Sequence, residues 1–481
     1  MKRACTTSIG RASLLAVLAG LCLAPIARAE EGEGDPSSAE AAPAAEEEPN
    51  GYKAFIDKWV DRVSNLDLYG LSAQLPQGVF SFKIEWNMRR AVGRFNNHRK
   101  RTAMVAPITF GDPENPTLAL DLGASGEGGG ITMQFSYGLT DPLDFYVEVP
   151  LQYMHVELRP KLTRLDPTAA LLINSYMAGG GYPQSQAEWF DASGHVLPEH
   201  ANEAAAWFMG YLPRLGRPTM IDPQVSDLET KGPGKVYDSD GVVLSDINLG
   251  FSWNYLRNER WSGSFTGRVY LPTGHIGDPN NSLTLGTGPD LDAGVGSFGM
   301  GFTKNFDVRV FKHSYWIDIV LSAEFGAAYR FKQTRRYPDF PEPTPDGNRL
   351  LDMLDPDRAY FPDMHDLSGG SYDYTPGFGC SAQVGLGIAF LLFDFGAAVG
   401  YSFSQEPELK ADWRFEQMVK ALEMQAAGHY EIMRLSAGVN LFPIYVPLHL
   451  RYQYERNIGG RNTLIFDHNH WFTVQGYLPT F

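Results

Sequence analysis

The 481-residue chain predicts an all-β protein, an antiparallel transmembrane β-barrel of about fourteen strands (range 12–14) with long extracellular loops containing short helices. Three observations lead there. Strand-length segments alternate apolar and polar residues almost throughout, and 50 glycines with 13% aromatic residues suit a large sheet. No stretch beyond the N-terminal leader approaches the ~18 consecutive apolar residues of a membrane helix.

Residues 1–29 carry Lys2, Arg3 and Arg11, an apolar stretch from Leu14 to Leu23, and Ala27-Arg28-Ala29 at an A-x-A cleavage point, the layout of a secretory signal peptide. Cys5 and Cys22 leave with that signal, so only Cys380 remains and no internal disulfide is expected. Its setting, GFGCSAQVGLG, reads as a small apolar position. Residues 30–50 hold eight acidic residues and no basic ones, which reads as a disordered leader. Cleavage moves the formal charge from −16 to −20, which argues against a nucleic-acid partner. Residues 51–77 are a lead-in whose Phe55, Ile56, Trp59, Val60 and Val63 make one helical stripe, a short periplasmic amphipathic helix.

The barrel is expected over 78–481. In VPLHLRYQYE, Val446, Leu448, Leu450, Tyr452 and Tyr454 share one face and His449, Arg451, Gln453 and Glu455 the other. From Tyr315 to Phe331 the apolar face runs through nine alternate positions, longer than a soluble sheet needs. Strands are predicted at 78–91, 102–111, 116–124, 130–138, 142–158, 244–256, 261–272, 290–305, 315–331, 377–391, 394–405, 428–442, 446–456 and 467–481. The tight connections GDPENP, GLTDP, LRNE, LFD and PIYVP alternate with long ones at 159–243, 273–289, 332–376 and 406–427, as periplasmic turns alternate with surface loops. The segment NFDVRVFKHS at 305–314 fits a short turn least well.

The C-terminal HWFTVQGYLPTF, ending in Phe481, resembles the assembly signal of outer-membrane barrels, which implies the barrel-assembly machinery as a partner. Between LPTG at 271–274 and LGTG-x-D at 285–290, and in YGLTDPLDFYVEVPL at 137–151, the chain resembles the outer-membrane β-barrel family named for the meta pathway of phenol degradation. That resemblance implies a transporter in the outer membrane of a Gram-negative bacterium. Pro272 and Thr273-Gly274 also read simply as a strand end and a loop start.

Catalytic motifs are not found: there is no H-E-x-x-H, G-x-S-x-G, P-loop or paired CxxC, so no enzyme and no cofactor are expected. His468 and His470 share a strand face and suggest rim histidines rather than a metal site. Asp355, Asp357, Asp363 and Asp366 lack calcium-loop spacing and read as a solvated acidic run.

On the wet faces, Lys83, Glu85, Arg89, Glu148, Arg268, Asp318, Glu324, Arg330, Arg434, Arg451 and Glu455 are the expected lumen residues, with charges of both signs that select solutes by size and dipole. The 159–243 insertion is apolar for a loop. Trp207, Phe208 and Tyr211 must pack on something, either as a surface lid or as a plug in the mouth. The expected function is a channel or transporter for passive uptake of small apolar or aromatic molecules, with membrane lipid and solute as partners. The alternative is a structural or adhesive surface barrel with a closed lumen.

Overall fold

Alternation commits a chain to extended structure where its two faces find different partners, and here those partners are lipid and lumen. The computed structural model describes residues 75, 77–104, 108–112, 115–121, 123, 125–158, 161–165, 197–200, 237–258, 260–277, 279, 296–313, 317–354, 362–421, 427–441, 444 and 446–479. The signal peptide, the acidic leader, the helix expected at 52–63, Trp207, Phe208, Tyr211 and Phe481 lie outside the described residues.

In chain order the strands are β1 (Val79–Phe95), β2 (Arg101–Thr102), β3 (Ile108–Asp112), β4 (Asn115–Asp121), β5 (Ser125–Thr140), β6 (Leu143–Leu158), β7 (Lys161–Leu165), β8 (Tyr237–Leu244), β9 (Asn248–Arg257) and β10 (Trp261–Tyr270). They continue with β11 (Gly299–His313), β12 (Ile317–Arg330), β13 (Gln333–Arg336), β14 (Ser371–Thr375), β15 (Gly377–Phe390), β16 (Phe393–Ser404), β17 (Glu408–Lys410), β18 (Gly428–Asn440), β19 (Leu448–Arg461) and β20 (Thr463–Pro479). Two helices are described in the later loops, α1 (Pro345–Leu354) and α2 (Trp413–Ala421).

Neighbours hydrogen-bond in the order β1, β20, β19, β18, β16, β15, β12, β11, β10, β9, β6 and β5, and β5 returns to β1. Among the described residues, twelve strands therefore close an antiparallel barrel, the lower end of the expected range. Two predicted staves are corrected. The segments at 102–111 and 116–124 contribute β3 and β4, which pair with β7 in a separate sheet. They alternate like barrel strands because that small sheet has its own core, where Leu118, Leu120 and Leu162 are fully buried.

The exterior inverts the usual rule of burial. Trp86 (48%), Trp253 (48%) and Phe395 (50%) are exposed, whereas Ser252 (2%), Asp318 (7%) and Asp394 (1%) are buried. Apolar side chains gain from facing outward only if the surroundings are themselves apolar. Rings run side by side around the outside, with Phe251 to Phe265 at 6.1 Å, Phe265 to Phe302 at 5.8 Å and Phe302 to Phe325 at 5.9 Å. Lys304 sits in this belt, in register with Phe265 and Phe325, its ammonium 5.5 Å from the Tyr255 ring centroid.

The short connections gather at one end: 141–142, 258–260, 314–316, 391–392 and 441–447. The beginning of β1 and the end of β20 lie at this same, periplasmic, rim. NFDVRVFKH is strand rather than turn, which removes the one poor fit in the predicted alternation. GDPENP is not a periplasmic turn: it joins β3 to β4 at the opposite end. There the long connections are 96–124, 159–247, 271–298, 331–376 and 405–427, with a single exception, the hairpin between β19 and β20 that turns through Asn462 at φ 48°.

Just before β1, buried Leu75 donates its N–H to the lumen-facing carboxylate of Asp144 at 3.3 Å, so the chain enters the first stave from within the mouth. At the other rim, loops 331–376 and 405–427 fold together: β13, β14 and β17 form a sheet on which Phe415 and Val419 of α2 pack with Tyr337, Phe340 and Met364.

Candidate functional site

All eleven predicted lumen residues lie on inward positions of barrel strands or at their ends, and the register shows which of them meet. Arg434 on β18 contacts Glu455 on β19 at 2.8 Å and donates to Gln383 Oε1 on β15 at 2.8 Å. Gln383 Nε2 donates to Glu324 on β12 at 3.4 Å, and Asn469 Nδ2 on β20 donates to Glu455 at 3.0 Å. The result is a polar chain that draws on five staves and spans six. Arg434 reaches over β16 because that strand offers only Ala398 and Gly400 beneath it, next to Arg434 and Gln383 in register.

Other charges are matched locally. Asp318 receives Arg309 Nε on both oxygens, at 3.0 and 3.1 Å. Arg330 meets Asp246 at 2.8 Å while its guanidinium lies 3.7 Å from the Tyr270 ring centroid. Near the periplasmic rim, Asp394 is approached by His449 at 2.9 Å and Arg451 at 3.6 Å. Lys83 and Glu85 meet at 3.4 Å, Glu148 accepts from Asn248 at 2.8 Å, and Arg89 lies 5.4 Å from the Phe466 ring. Buried charges are costly alone, so a lumen rich in them is stable only when signs alternate in contact. Arg268, like Arg89, has no carboxylate within ion-pair distance among the described residues; its Nη2 donates to the Thr303 hydroxyl at 2.7 Å.

Asp246, Arg309, Gln383, Asp394 and Asn469 were not singled out by the sequence. Arg309 sits in the segment read as a connection and Asp394 in a tight turn, while Asp246 lies on the polar face at the start of the strand read at 244–256 and is passed over. Asp246 is also the rim's organising acceptor. Its carboxylate takes the N–H groups of Gly274 at 2.9 Å and Gly296 at 3.3 Å as well as Arg330. Thr273 Oγ1 accepts from Ile247 N–H at 2.8 Å and donates to Ser245 O at 3.3 Å, which bears out the structural reading of LPTG.

The other candidates find structural roles. His468 and His470 face outward; their rings stack at 5.7 Å and His470 Nδ1 lies 2.7 Å from the Tyr452 hydroxyl. Asp355 and Asp357 lie outside the described residues. Asp366 pairs with Arg414 through two bonds at 2.8 and 2.9 Å, and Asp412 caps α2 by accepting Arg414 N–H at 2.9 Å. Hydrogen bonds from Arg414 hold both carboxylates below the usual range, and the same bonds raise Arg414. Among the described residues, no group of three or more His, Cys, Asp or Glu side chains could hold a metal.

A closed antiparallel barrel with an apolar, ring-rich exterior, a charged interior and both strand ends on its short-turn rim defines an outer-membrane β-barrel of Gram-negative type. No family model and no curated relative matches the chain. Among solved structures it is similar to an outer membrane channel from Pseudomonas putida F1, at 10% identity over 86% of this chain and 100% of that one, TM-score 0.44. It is also similar to the CymD monoaromatic hydrocarbon channel, at 9% identity over 85% and 89%, TM-score 0.27. A FadL homologue of Pseudomonas aeruginosa matches at 10% identity over 84% and 90%, TM-score 0.26.

Proposed function

We propose that the protein is a passive channel for small apolar or aromatic molecules, without catalytic activity, of the kind that the LPTG and YGLTDP segments suggest in the meta-pathway family. The observation that carries this reading is the set of ion pairs lining the lumen. Where positive and negative groups already bond to one another, a passing ion finds little to replace its hydration, while a solute without net charge loses little. The inward faces of β15 and β16 reinforce it, since Gly385, Gly387 and Gly396 add no side-chain bulk to that wall.

The test is single-channel recording in planar bilayers with a salt gradient, followed by uptake of labelled aromatic solutes into cells with and without the protein. Measurable conductance with a reversal potential near zero, and faster aromatic uptake, are expected. Strong ion selectivity would count against the matched-lumen argument. The second reading, a closed surface barrel, is favoured by the near-complete burial of Asp394 and Arg451 at the periplasmic rim, and absent conductance together with unchanged uptake would establish it.

A further inference from the structure

Among the described residues Arg268, like Arg89, makes no ion pair, and the side chains drawn up to it are chiefly hydroxyls. Register places Tyr146 on β6, Gly250 on β9, Arg268 on β10 and Gly301 on β11 in one row across the wall. A Cβ at Gly250 would fall within 2.6 Å of the Tyr146 ring, so that ring lies flat over the glycine and leans toward Arg268. A Cβ at Gly301 would sit 3.2 Å from the Tyr270 hydroxyl, so Tyr270 lies over that glycine on the other side. Two glycines thus bring two phenols up to one guanidinium, with the Thr303 hydroxyl 2.7 Å from Nη2. Glu148, two residues beyond Tyr146 on β6, accepts from Asn248 and acts on Arg268 through space without pairing with it.

Resting on the channel reading above, we infer that this corner, two residues from the extracellular end of β10, is an acceptor site for the carboxylate of a small aromatic acid. A guanidinium presents a planar fork of N–H donors that fits a carboxylate, and the hydroxyls of Tyr146 and Tyr270 add donors at its flanks. The Tyr146 ring offers apolar surface to an aromatic body, while one face of Tyr270 is already covered by Arg330. The site selects the head group as the solute enters, and the matched charges below it leave the body unhindered. Arg451, the other cation expected to serve an amphipathic solute, is committed to Asp394 and does not share the role.

The experiment uses the purified full-length barrel, checked for folding by heat-dependent gel mobility. Benzoate, benzyl alcohol and benzylammonium are each titrated during single-channel recording. Benzoate is expected to reduce conductance saturably, at least tenfold more potently than the other two. Arg268→Gln is expected to weaken benzoate at least tenfold, Tyr146→Phe a few-fold, and Gly250→Ala, which dislodges the Tyr146 ring, by a similar factor. Arg456→Gln, on an outward-facing position, serves as the control. Equal potency of benzoate and benzylammonium, or full benzoate sensitivity in Arg268→Gln, overturns the assignment. A barrel without conductance would remove the channel reading alone. The site is then tested by calorimetric titration of benzoate into wild type and Arg268→Gln, where binding lost in the variant supports it and no binding in either refutes it.

Discussion

Replacing Phe415 by alanine isolates the outer mini-domain from the barrel that carries it. Phe415 is 1% exposed; its ring lies 5.0 Å from both Tyr337 and Tyr372 and 6.4 Å from Phe340. Removing a fully buried phenylalanine from such a cluster costs about 3–5 kcal/mol, because transfer energy is lost and the cavity does not fully collapse. The two loops together comprise roughly 70 residues, and at roughly 0.05–0.15 kcal/mol per residue their own stability is about 4–10 kcal/mol. Phe415→Ala should therefore remove much of it and raise the open population about a hundredfold or more. Limited proteolysis on intact cells, read at cleavage between 331 and 427, should show faster cutting while the heat-modifiable barrel band is unchanged. Unaltered proteolysis would show that this cluster is not what holds the loops. A parallel loss of barrel stability would show that loops and barrel unfold as one unit.

The same mini-domain should respond to acid. Arg414 holds Asp366 and Asp412 below their ordinary values, so their contribution is present above about pH 4 and is lost as pH falls through the lower folded value; loop proteolysis should rise there. His365 is raised by its hydrogen bond with Asp363, so that contact is complete below about pH 6.5 and fades as pH rises through the higher folded value, a titration visible in the histidine proton resonance. Lys304→Met should raise the unfolding free energy of the vesicle-embedded barrel by about 1–3 kcal/mol, read as a higher urea midpoint, since a lysine on the lipid face is costly near the bilayer centre; a lower midpoint would mean that the Tyr255 contact outweighs that cost. Tags inserted near Asn115 and Gly347 should be labelled on intact cells and one at Asn258 should not. Protection at Asn115 would restore the periplasmic turn first read at GDPENP.

Membrane strands are legible because lipid demands an apolar residue at every second position, as from Tyr315 through Phe331, and no soluble context imposes this for so long. The rule fails where a small soluble sheet borrows the same period, as at Leu118 and Leu120. It also fails at strand ends: the strands read at 446–456 and 467–481 stop short of Gly459 and Gly460, yet β19 runs through both glycines to Arg461 and reverses at Asn462. The lumen residues could be picked singly as polar alternates, but their partnerships could not. Arg434 meets Gln383 only because Ala398 and Gly400 lie between them, a fact of register rather than of local sequence. Likewise Arg309 reaches Asp318 beside a bulge that shifts the pairing at Arg309/Phe311.

The seam between β1 and β20 has a consequence for how the molecule is made. It pairs Val79 with Pro479 and continues to Phe95 with Thr463, joining the first stave to the last. During synthesis β1 is finished early and must wait for the whole remaining chain before its second neighbour exists. An open strand edge in that interval can template pairing with other chains, so the unfinished sheet needs shielding until the final segment arrives. A chain truncated before residue 463 would leave a curved open sheet with an unsealed edge on each side.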